Sequence, residues 1–386
     1  MTPTTDRTTR PTASGSIGVA LQGRAIAICC GSGGVGKTTT AAALGTIAAI
    51  RDRQRVLVLT IDPAKRLASA LGLAGVGNDA TRVDGMPRGA GQLWVAMLDT
   101  SAGWDALVRR HAPDRDTCER ILANPLYRNI TQRFVQSHDY IAMERLYELY
   151  ISGRYDLIVI DTPPSRHALD FLDAPERMAD FFSSSLLRWI TLPYRVGGER
   201  AGRLGYLAAK PFYQVADRIL GSQFLKDIAE FFLLFQTMYE GFVTRARSVT
   251  TLLHDPATTF LVVSTLEPSP LHEAEFFMTE LAKRHLHLGA LIFNKVLPTS
   301  LLDPAARALA TRVVEAAGDA TQLSEGDRIA VAVAENHLRF AQLAEAEASE
   351  RRRLGAQPDV LCSIPQRTDE LSDLAGLRSL GETLWP

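Results

Sequence analysis

The sequence predicts an α/β fold built on a doubly wound, mainly parallel sheet. Short apolar runs rich in Val, Ile and Leu alternate with stretches of helical periodicity, which is typical of strands buried on both faces of such a sheet. A glycine-rich segment follows the first run and leads directly into a helix-forming stretch. The seven predicted strands span residues 25–30, 56–61, 93–98, 157–160, 260–264, 288–293 and 360–364.

Residues 1–22 are expected to form a disordered lead-in, because the first 15 residues are rich in Thr, Arg, Pro and Ser and lack the apolar segment of a signal peptide. Residues 23–386 are expected to form one domain, with helical regions 101–150 and 171–254 inserted. No run reaches about 18 apolar residues, so no membrane-spanning helix is expected. We expect a cytoplasmic protein.

Composition narrows the function classes. The chain has 386 residues, 46% of them hydrophobic and 22% charged, as in an ordinary globular protein. Its formal net charge of -1 argues against a globally basic nucleic-acid binder, so no nucleic-acid partner is expected. The four cysteines form no C-x-x-C pair, which favours a reducing compartment and small core residues over a structural zinc site: Cys29, Cys30, Cys118 and Cys362.

The glycine-rich segment matches the phosphate-loop motif G-x-x-x-x-G-K-[ST] between a strand and a helix. Its glycines allow backbone N–H groups to surround phosphates, and the helix N-terminus adds partial positive charge. Lys37 is expected to bridge the β- and γ-phosphates, and the Thr38 hydroxyl to bind Mg²⁺. The alternative is a glycine-rich turn with a chance lysine. The predicted ATP-binding residues here are Gly31, Ser32, Gly33, Gly34, Val35, Gly36, Lys37, Thr38 and Thr39.

Two aspartates follow predicted strands at their carboxyl ends, where open α/β sheets bind ligands. Asp161 is expected to organise Mg²⁺ together with Thr38, and Asp62 to orient the water that attacks the γ-phosphate. Either aspartate alone could instead cap a helix or form a turn. Their occurrence beside a phosphate loop favours catalysis.

The region from residue 171 to 254 contains no strand-like run and has helical periodicity. One helix face is predicted from apolar residues at three- and four-residue steps, and a basic and aromatic stretch precedes it. The apolar face could line a groove for an apolar segment or pack the insertion and a dimer interface; the basic stretch could contact an anionic membrane or be a solvated loop. The face comprises Phe224, Ile228, Phe231, Phe235, Met238 and Phe242, and the stretch contains Arg188, Trp189, Tyr194, Arg195, Arg200 and Arg203.

Four segments together resemble one family, the ATPases of the arsenite pump and of the guided-entry pathway for tail-anchored membrane proteins, which are relatives of MinD, nitrogenase iron protein and ParA. The segments are GSGGVGKTTT, TIDPAKRLASALG, DTPPSRHALDFL and LIFNKVLP, in this order along most of the chain. The resemblance implies a dimeric Mg-ATP hydrolase. It also implies that Asp62 is the switch I aspartate, and that Asp161, Pro163, Pro164 and His167 belong to switch II, which relays the nucleotide state to the helical insertion.

The same resemblance implies that Asn294 recognises adenine, a task that suits an amide because it offers both a donor and an acceptor. The alternative for Asn294 is a turn former after a strand. Pro365 lies where this family packs the adenine ring.

The sequence departs from this family at the second residue of the loop. The family usually has a lysine there that reaches the partner subunit's phosphates, whereas this chain has Ser32. A trans cation of this kind is worth about 10³–10⁵ in rate. We therefore expect either slow hydrolysis in a homodimer or a heterodimer with a paralogous ATPase that retains the lysine.

The leading hypothesis is an ATPase that couples ATP binding and hydrolysis in a dimer to chaperoning, sorting or transport-linked handling of a hydrophobic protein or lipid client, with peripheral membrane contact as an option. The main alternative is a low-turnover nucleotide switch in a complex with a paralogous ATPase. A DNA-partition ATPase and a small-molecule kinase fit less well. An arsenite-pump subunit is also disfavoured, because the chain has neither clustered cysteines nor two fused ATPase halves.

Overall fold

The computed structural model describes residues 15–61, 71, 77–124, 127, 137–163, 231–234, 237–317, 324–354, 358–367 and 373–386. Within these residues the chain forms one eight-stranded sheet with helices on both faces. The strands are β1 (Ile26–Cys30), β2 (Arg55–Thr60), β3 (Thr81–Arg82), β4 (Gln92–Met97), β5 (Leu157–Asp161), β6 (Thr258–Ser264), β7 (Leu288–Val296) and β8 (Val360–Pro365).

The helices of the described residues flank this sheet and connect its strands. They are α1 (Ile17–Leu21), α2 (Lys37–Arg51), α3 (Thr100–His111), α4 (Arg115–Ala123), α5 (Ser137–Ile151), α6 (Tyr239–His254), α7 (Pro268–Lys283), α8 (Pro304–Ala316), α9 (Glu325–Arg353) and α10 (Leu374–Leu384), with a 3₁₀ turn at Thr299–Leu302 before α8. None of these helices is both long and apolar enough to cross a membrane.

The sheet has the strand order β3-β4-β2-β5-β1-β6-β7-β8. All neighbouring pairs are parallel except β3 with β4. Strand β1 lies between β5 and β6, so its residues are buried on both sides, as its continuous apolar sequence requires. Parallel pairing places the carboxyl ends of these strands at one edge of the sheet. The predicted α/β, doubly wound fold is confirmed.

Alternate residues of β1 enter two separate apolar layers, because successive side chains of a strand point to opposite faces. Ile26, Ile28 and Cys30 pack with residues of α3 to α7, whereas Ala27 and Cys29 pack with residues of α1, α2 and α10. The two layers fix the sheet between helices and hold its carboxyl edge in place.

All seven predicted strands are present, with ends that differ by up to three residues. Strand β3 was not predicted, because its two residues are exposed and carry no apolar pattern. Residues 17–21, assigned to the disordered lead-in, form α1 with Ile17 fully buried. Residues 1–14 lie outside the described residues.

The predicted helix face in the insertion is only partly described. Phe231 and Met238 are buried, as the periodicity predicts. The helix is not continuous, however, because Thr237 and Met238 form a turn before α6, and the Thr237 hydroxyl donates to the Leu234 carbonyl at 2.6 Å. The side chains of Phe224, Ile228, Phe235 and Phe242 lie outside the described residues, as does the basic and aromatic stretch.

Candidate functional site

The phosphate loop, residues 31–38, connects β1 to α2 at the carboxyl edge of the sheet. Gly31 and Gly36 have φ angles of 151° and 93°, a region in which side chains are strained. A Cβ on Gly31 would lie 2.0 Å from the Val263 carbonyl oxygen, and one on Gly36 would lie 2.2 Å from Asn294 Nδ2. The loop therefore needs glycine at both positions to pack against β6 and β7.

Lys37 begins α2, and its ammonium turns back over the loop. Its Nζ donates to the Ser32 carbonyl at 2.9 Å, and the residue is only 7% exposed. Ser32 is buried as well, and its Oγ has no hydrogen-bond partner among the residues that the structure describes. A buried cation and a buried hydroxyl in one glycine-rich loop form a polar lining suited to an anion, since buried polar groups require partners.

Asp161 ends β5 beside the loop. Its carboxylate is fully buried, and Oδ2 accepts hydrogen bonds from Thr38 at 2.7 Å and from Thr60 at 3.0 Å. The sheet register explains this meeting, because Asp161 is opposite Cys29 of β1 and Thr60 of β2. The phosphate loop, the end of β2 and the end of β5 are distant in sequence and thus meet at this one carboxylate.

The cysteines next to this carboxylate are not reactive groups. Burial raises the pKa of Cys30 to about 12 and raises the pKa of Cys29 well above its usual value, with the charge of Asp161 adding to the rise for Cys29. Both thiols therefore stay protonated near neutral pH. The described residues contain no cluster of His, Cys, Asp and Glu that could hold a metal ion. Cys29, Cys30 and Cys362 pack as buried residues.

The residues present fit a magnesium nucleotide. Hydroxyl and carboxylate oxygens, as supplied by Thr38 and Asp161, are the ligands that Mg²⁺ prefers. Gly31, Gly34 and Gly36 supply the positive φ angles that a phosphate-binding turn uses. The buried Ser32 Oγ would gain a partner from a phosphate oxygen.

Asn294, near the end of β7, contacts the loop from its outer side. Its Nδ2 donates to the Val35 carbonyl at 2.8 Å, and its Oδ1 accepts from the Lys295 backbone N–H at 2.9 Å. A side-chain amide has two N–H donors and two lone pairs, so these two bonds use one of each. Pro365 ends β8 opposite Val296, at the same edge of the sheet.

Some predicted residues cannot be placed. Asp62, Pro164 and His167 lie outside the described residues. The residue before Asp62 is described, and the Ile61 N–H donates to the Asp161 carbonyl at 3.0 Å. The chain therefore leaves β2 towards Asp62 from a position next to Asp161.

Sequence reasoning missed Lys295, which follows Asn294 directly. Its backbone has a φ angle of 59°, and its Nζ donates to the Gly34 carbonyl at 3.1 Å. The available signal was a lysine next to the asparagine at a strand end, a pattern with no periodicity of its own.

The fold and the loop define the class of this protein as a P-loop NTPase with an α/β sheet. The sequence profile of the anion-transporting ATPase (ArsA) family matches residues 24–316. The chain belongs to this family and is an ATP hydrolase.

Curated relatives carry consistent names. The chain is similar to the ATPase ASNA1 homolog of Entamoeba dispar, with 25% identity over 275 residues that cover 70% of this chain and 76% of the relative. It is also similar to the ATPase get3 of Aspergillus terreus, with 25% identity over 268 residues, 69% of this chain and 72% of the relative. The ATPase GET3 of Podospora anserina matches at 25% identity over 69% of this chain and 71% of its own length.

Proposed function

We propose that this ATPase couples Mg-ATP binding and hydrolysis in a dimer to the handling of a hydrophobic protein or lipid client. The observation that carries the catalytic part is the 2.7 Å hydrogen bond from Thr38 to Asp161. It joins the phosphate loop to the end of β5, where a hydroxyl and a carboxylate meet as a magnesium site requires.

The loop binds the phosphates through its backbone N–H groups and through Lys37. The ammonium has three N–H donors, so it can keep its bond to the Ser32 carbonyl and also donate to phosphate oxygens. Because Lys37 is buried, its interaction with a phosphate is little screened by water. Thr39, in the first turn of α2, lies next to the same N-terminal N–H groups.

Hydrolysis transfers the γ-phosphoryl group to water without a covalent intermediate. Thr38 and Asp161 would hold a Mg²⁺ ion, which would supply neutralisation of the phosphate charge. Asp62 accepts a hydrogen bond from the attacking water and orients it, while Lys37 stabilises the charge that develops on the phosphoryl oxygens. Asn294 and Pro365 contact the adenine at the β7 and β8 ends of the site.

The presence of Ser32 in place of the family's lysine gives different expectations for a homodimer and for a heterodimer. A hydroxyl cannot provide the trans cation that the family's lysine supplies, so a homodimer hydrolyses ATP slowly. In a heterodimer, a paralogous ATPase that retains the lysine completes the site of this chain, and its own site lacks that cation.

The helical insertion is the part of the chain that contacts the client. Resemblance to the tail-anchored-protein-targeting ATPases and the apolar periodicity around residues 224–242 support this assignment. The protein acts in the cytoplasm, with peripheral membrane contact when it delivers the client.

A low-turnover nucleotide switch is the second candidate, and Ser32 favours it. In this version ATP closes a complex with a paralogous ATPase, and the nucleotide state rather than turnover controls partner binding.

One capture experiment tests the proposal. A tagged Asp62→Asn variant, blocked in hydrolysis, is isolated from its native cell with Mg-ATP, and its bound partners are identified by mass spectrometry. We expect partners that disappear when ATP is omitted and when Lys37→Ala is added. A homologous ATPase with the loop lysine indicates the heterodimer, and the chain alone with an apolar client indicates the slow homodimer. Partners retained equally in the Lys37→Ala variant would show that binding is not coupled to the nucleotide.

A further inference from the structure

Lys295 has an unusual backbone and an unexpected contact. It is one of three non-glycine residues with positive φ among those described, and a left-handed lysine is disfavoured because its Cβ crowds its own carbonyl. It lies where the β7–β8 pairing is irregular, between Phe293 and Val296. The local break in pairing directs its side chain to the Gly34 carbonyl, 261 residues away in sequence.

Asn294 and Lys295 together form what we call the loop clamp. Asn294 binds the Val35 carbonyl and Lys295 binds the adjacent Gly34 carbonyl, so two neighbouring residues of β7 hold two neighbouring peptide groups of the loop. The close approach depends on Gly36, because a Cβ there would overlap Asn294.

Peptide planarity gives this contact a consequence for phosphate binding. In a trans peptide the C=O and the following N–H point in opposite directions. Holding the Gly34 oxygen towards β7 therefore turns the Val35 N–H to the opposite side of the loop, and holding the Val35 oxygen does the same for the Gly36 N–H. A cationic donor on the carbonyl also polarises the peptide and makes its N–H a stronger donor.

We propose that Lys295 is a positioning residue for the nucleotide: through the Gly34 carbonyl it fixes the peptide groups whose N–H atoms face the phosphates. The inference rests on the proposed nucleotide site in the phosphate loop. It assigns the strained backbone of Lys295 to function, since the strain places an ammonium against the outer side of the loop.

The test uses substitutions that accept the left-handed backbone but cannot reach Gly34. Lys295→Gly and Lys295→Asn both tolerate a φ of 59°, so the fold should melt at the wild-type temperature or above it. Dissociation constants for ADP and ATP, measured by calorimetry with Mg²⁺, should rise about five- to tenfold, because the bond from Lys295 to Gly34 is exposed and its loss should resemble that of an ordinary net hydrogen bond. In steady state the ATP KM should rise by a similar factor, with kcat changed less. Lys295→Arg should restore most of the affinity.

Two controls separate this inference from the proposed function. Lys283→Asn removes the same charge from the end of α7, where it pairs with Glu280, and should change nothing at the nucleotide site. Lys37→Ala should abolish tight ADP binding. Unchanged ADP affinity in the Lys37→Ala variant would contradict the proposal that the phosphate loop is the nucleotide site. If Lys37→Ala behaves as expected and both short variants keep wild-type affinity, Lys295 does not position the loop. A loss for ATP but not for ADP would also overturn the inference, because it would indicate direct contact with the terminal phosphate.

Discussion

Two buried carboxylates in this molecule have different partners. Asp161, fully buried at the end of β5, accepts hydrogen bonds from the hydroxyls of Thr38 and Thr60. Glu144 on α5, only 5% exposed, accepts hydrogen bonds from Arg245 of α6 at 2.9 Å and Arg110 of α3 at 3.3 Å. Hydroxyl partners suit a carboxylate that also holds a ligand cation, whereas arginine partners bring the positive charge from within the fold.

The pKa of Glu144 shows the cost of its position. Burial raises its pKa above the usual value, although both arginines act to lower it. Desolvation therefore outweighs attraction, as is common for buried ion pairs. The ion pair of Glu144 with Arg245 still joins α5, which precedes β5, to α6, which forms the end of the inserted region 171–254. Glu144 thus serves packing between helices, and we propose that Asp161 serves catalysis.

The largest expected effect comes from Asp161→Asn. Asparagine can still accept hydrogen bonds from both threonines, so the melting temperature should stay within about 3 °C of wild type. An amide lacks the charge that holds Mg²⁺, so the ATP hydrolysis rate should fall about 10²–10³-fold, similar to the loss of one transition-state-stabilising group. Phosphate release and thermal melting measure the two properties.

Asp156→Asn is the matched control, since Asp156 lies at the other end of the same strand region and pairs with exposed Arg55. Its hydrolysis rate should equal that of wild type. A large loss of stability in Asp161→Asn with an undiminished rate in the folded protein would reverse the comparison and assign Asp161 to structure.

Arg245→Met should have the next largest effect, on stability. Breaking a buried charge pair from one side costs about 3 kcal/mol or more, because the carboxylate is left without a main partner. The arginine also stacks on Tyr147, with its guanidinium carbon 4.6 Å from the ring centroid, a contact that Met replaces only in part. Urea denaturation should show this loss at pH 8.

The pH dependence of that loss has a definite sign. In the folded protein the pKa of Glu144 is raised above its unfolded value. The stability that Glu144 contributes is therefore greatest at pH values below its unfolded pKa, and it is lost as the pH rises through its folded pKa. Arg245 acts to lower this pKa, so the folded pKa of Glu144 should be raised further in the variant that lacks Arg245. The destabilisation should therefore be smaller at pH 5 than at pH 8. Arg247→Met, an exposed change on the same helix, should alter stability by less than about 0.5 kcal/mol at both values. Equal losses at both pH values for Arg245→Met would show that Glu144 is not the affected group.

The sequence predicted most of the sheet, because buried parallel strands leave continuous apolar runs. It did not predict β3, whose Thr81 and Arg82 are both exposed. The sequence also predicted a disordered segment at Ile17. Ile17 follows a run of polar residues and begins a helix of only five residues that packs against the sheet, so the helix left no recognisable pattern in the sequence. Short elements stabilised by tertiary contacts leave little local signal.

The sequence predicted those parts of the site whose residues form a contiguous motif or end an apolar run. The loop from Gly31 to Thr38 has a contiguous motif, and Asp161 ends an apolar run. Thr60 and Lys295 were missed, because their roles arise from contacts across the sheet and from a left-handed backbone. Such contacts depend on register, which a single sequence does not encode in any short pattern.

The smallest effect is expected for an exposed carboxylate near the start of β5. Asp156 pairs with Arg55 at 2.7 Å, but the two side chains are 40% and 49% exposed. The Arg55 hydrogen bond lowers the pKa of Asp156, so the pair contributes stability above the unfolded pKa and loses it as pH falls through the folded value. A double-mutant cycle with Arg55→Ala and Asp156→Ala should give a weak coupling at pH 7, well below that of the buried Glu144 pair, and this coupling should be reduced by salt and should decrease as the pH falls through the lowered folded pKa of Asp156. The Arg55–Asp156 pair and the Arg245–Glu144 pair both consist of an arginine and a carboxylate, and they differ in burial. Equal coupling energies for the two pairs would therefore show that burial does not determine the strength of these ion pairs.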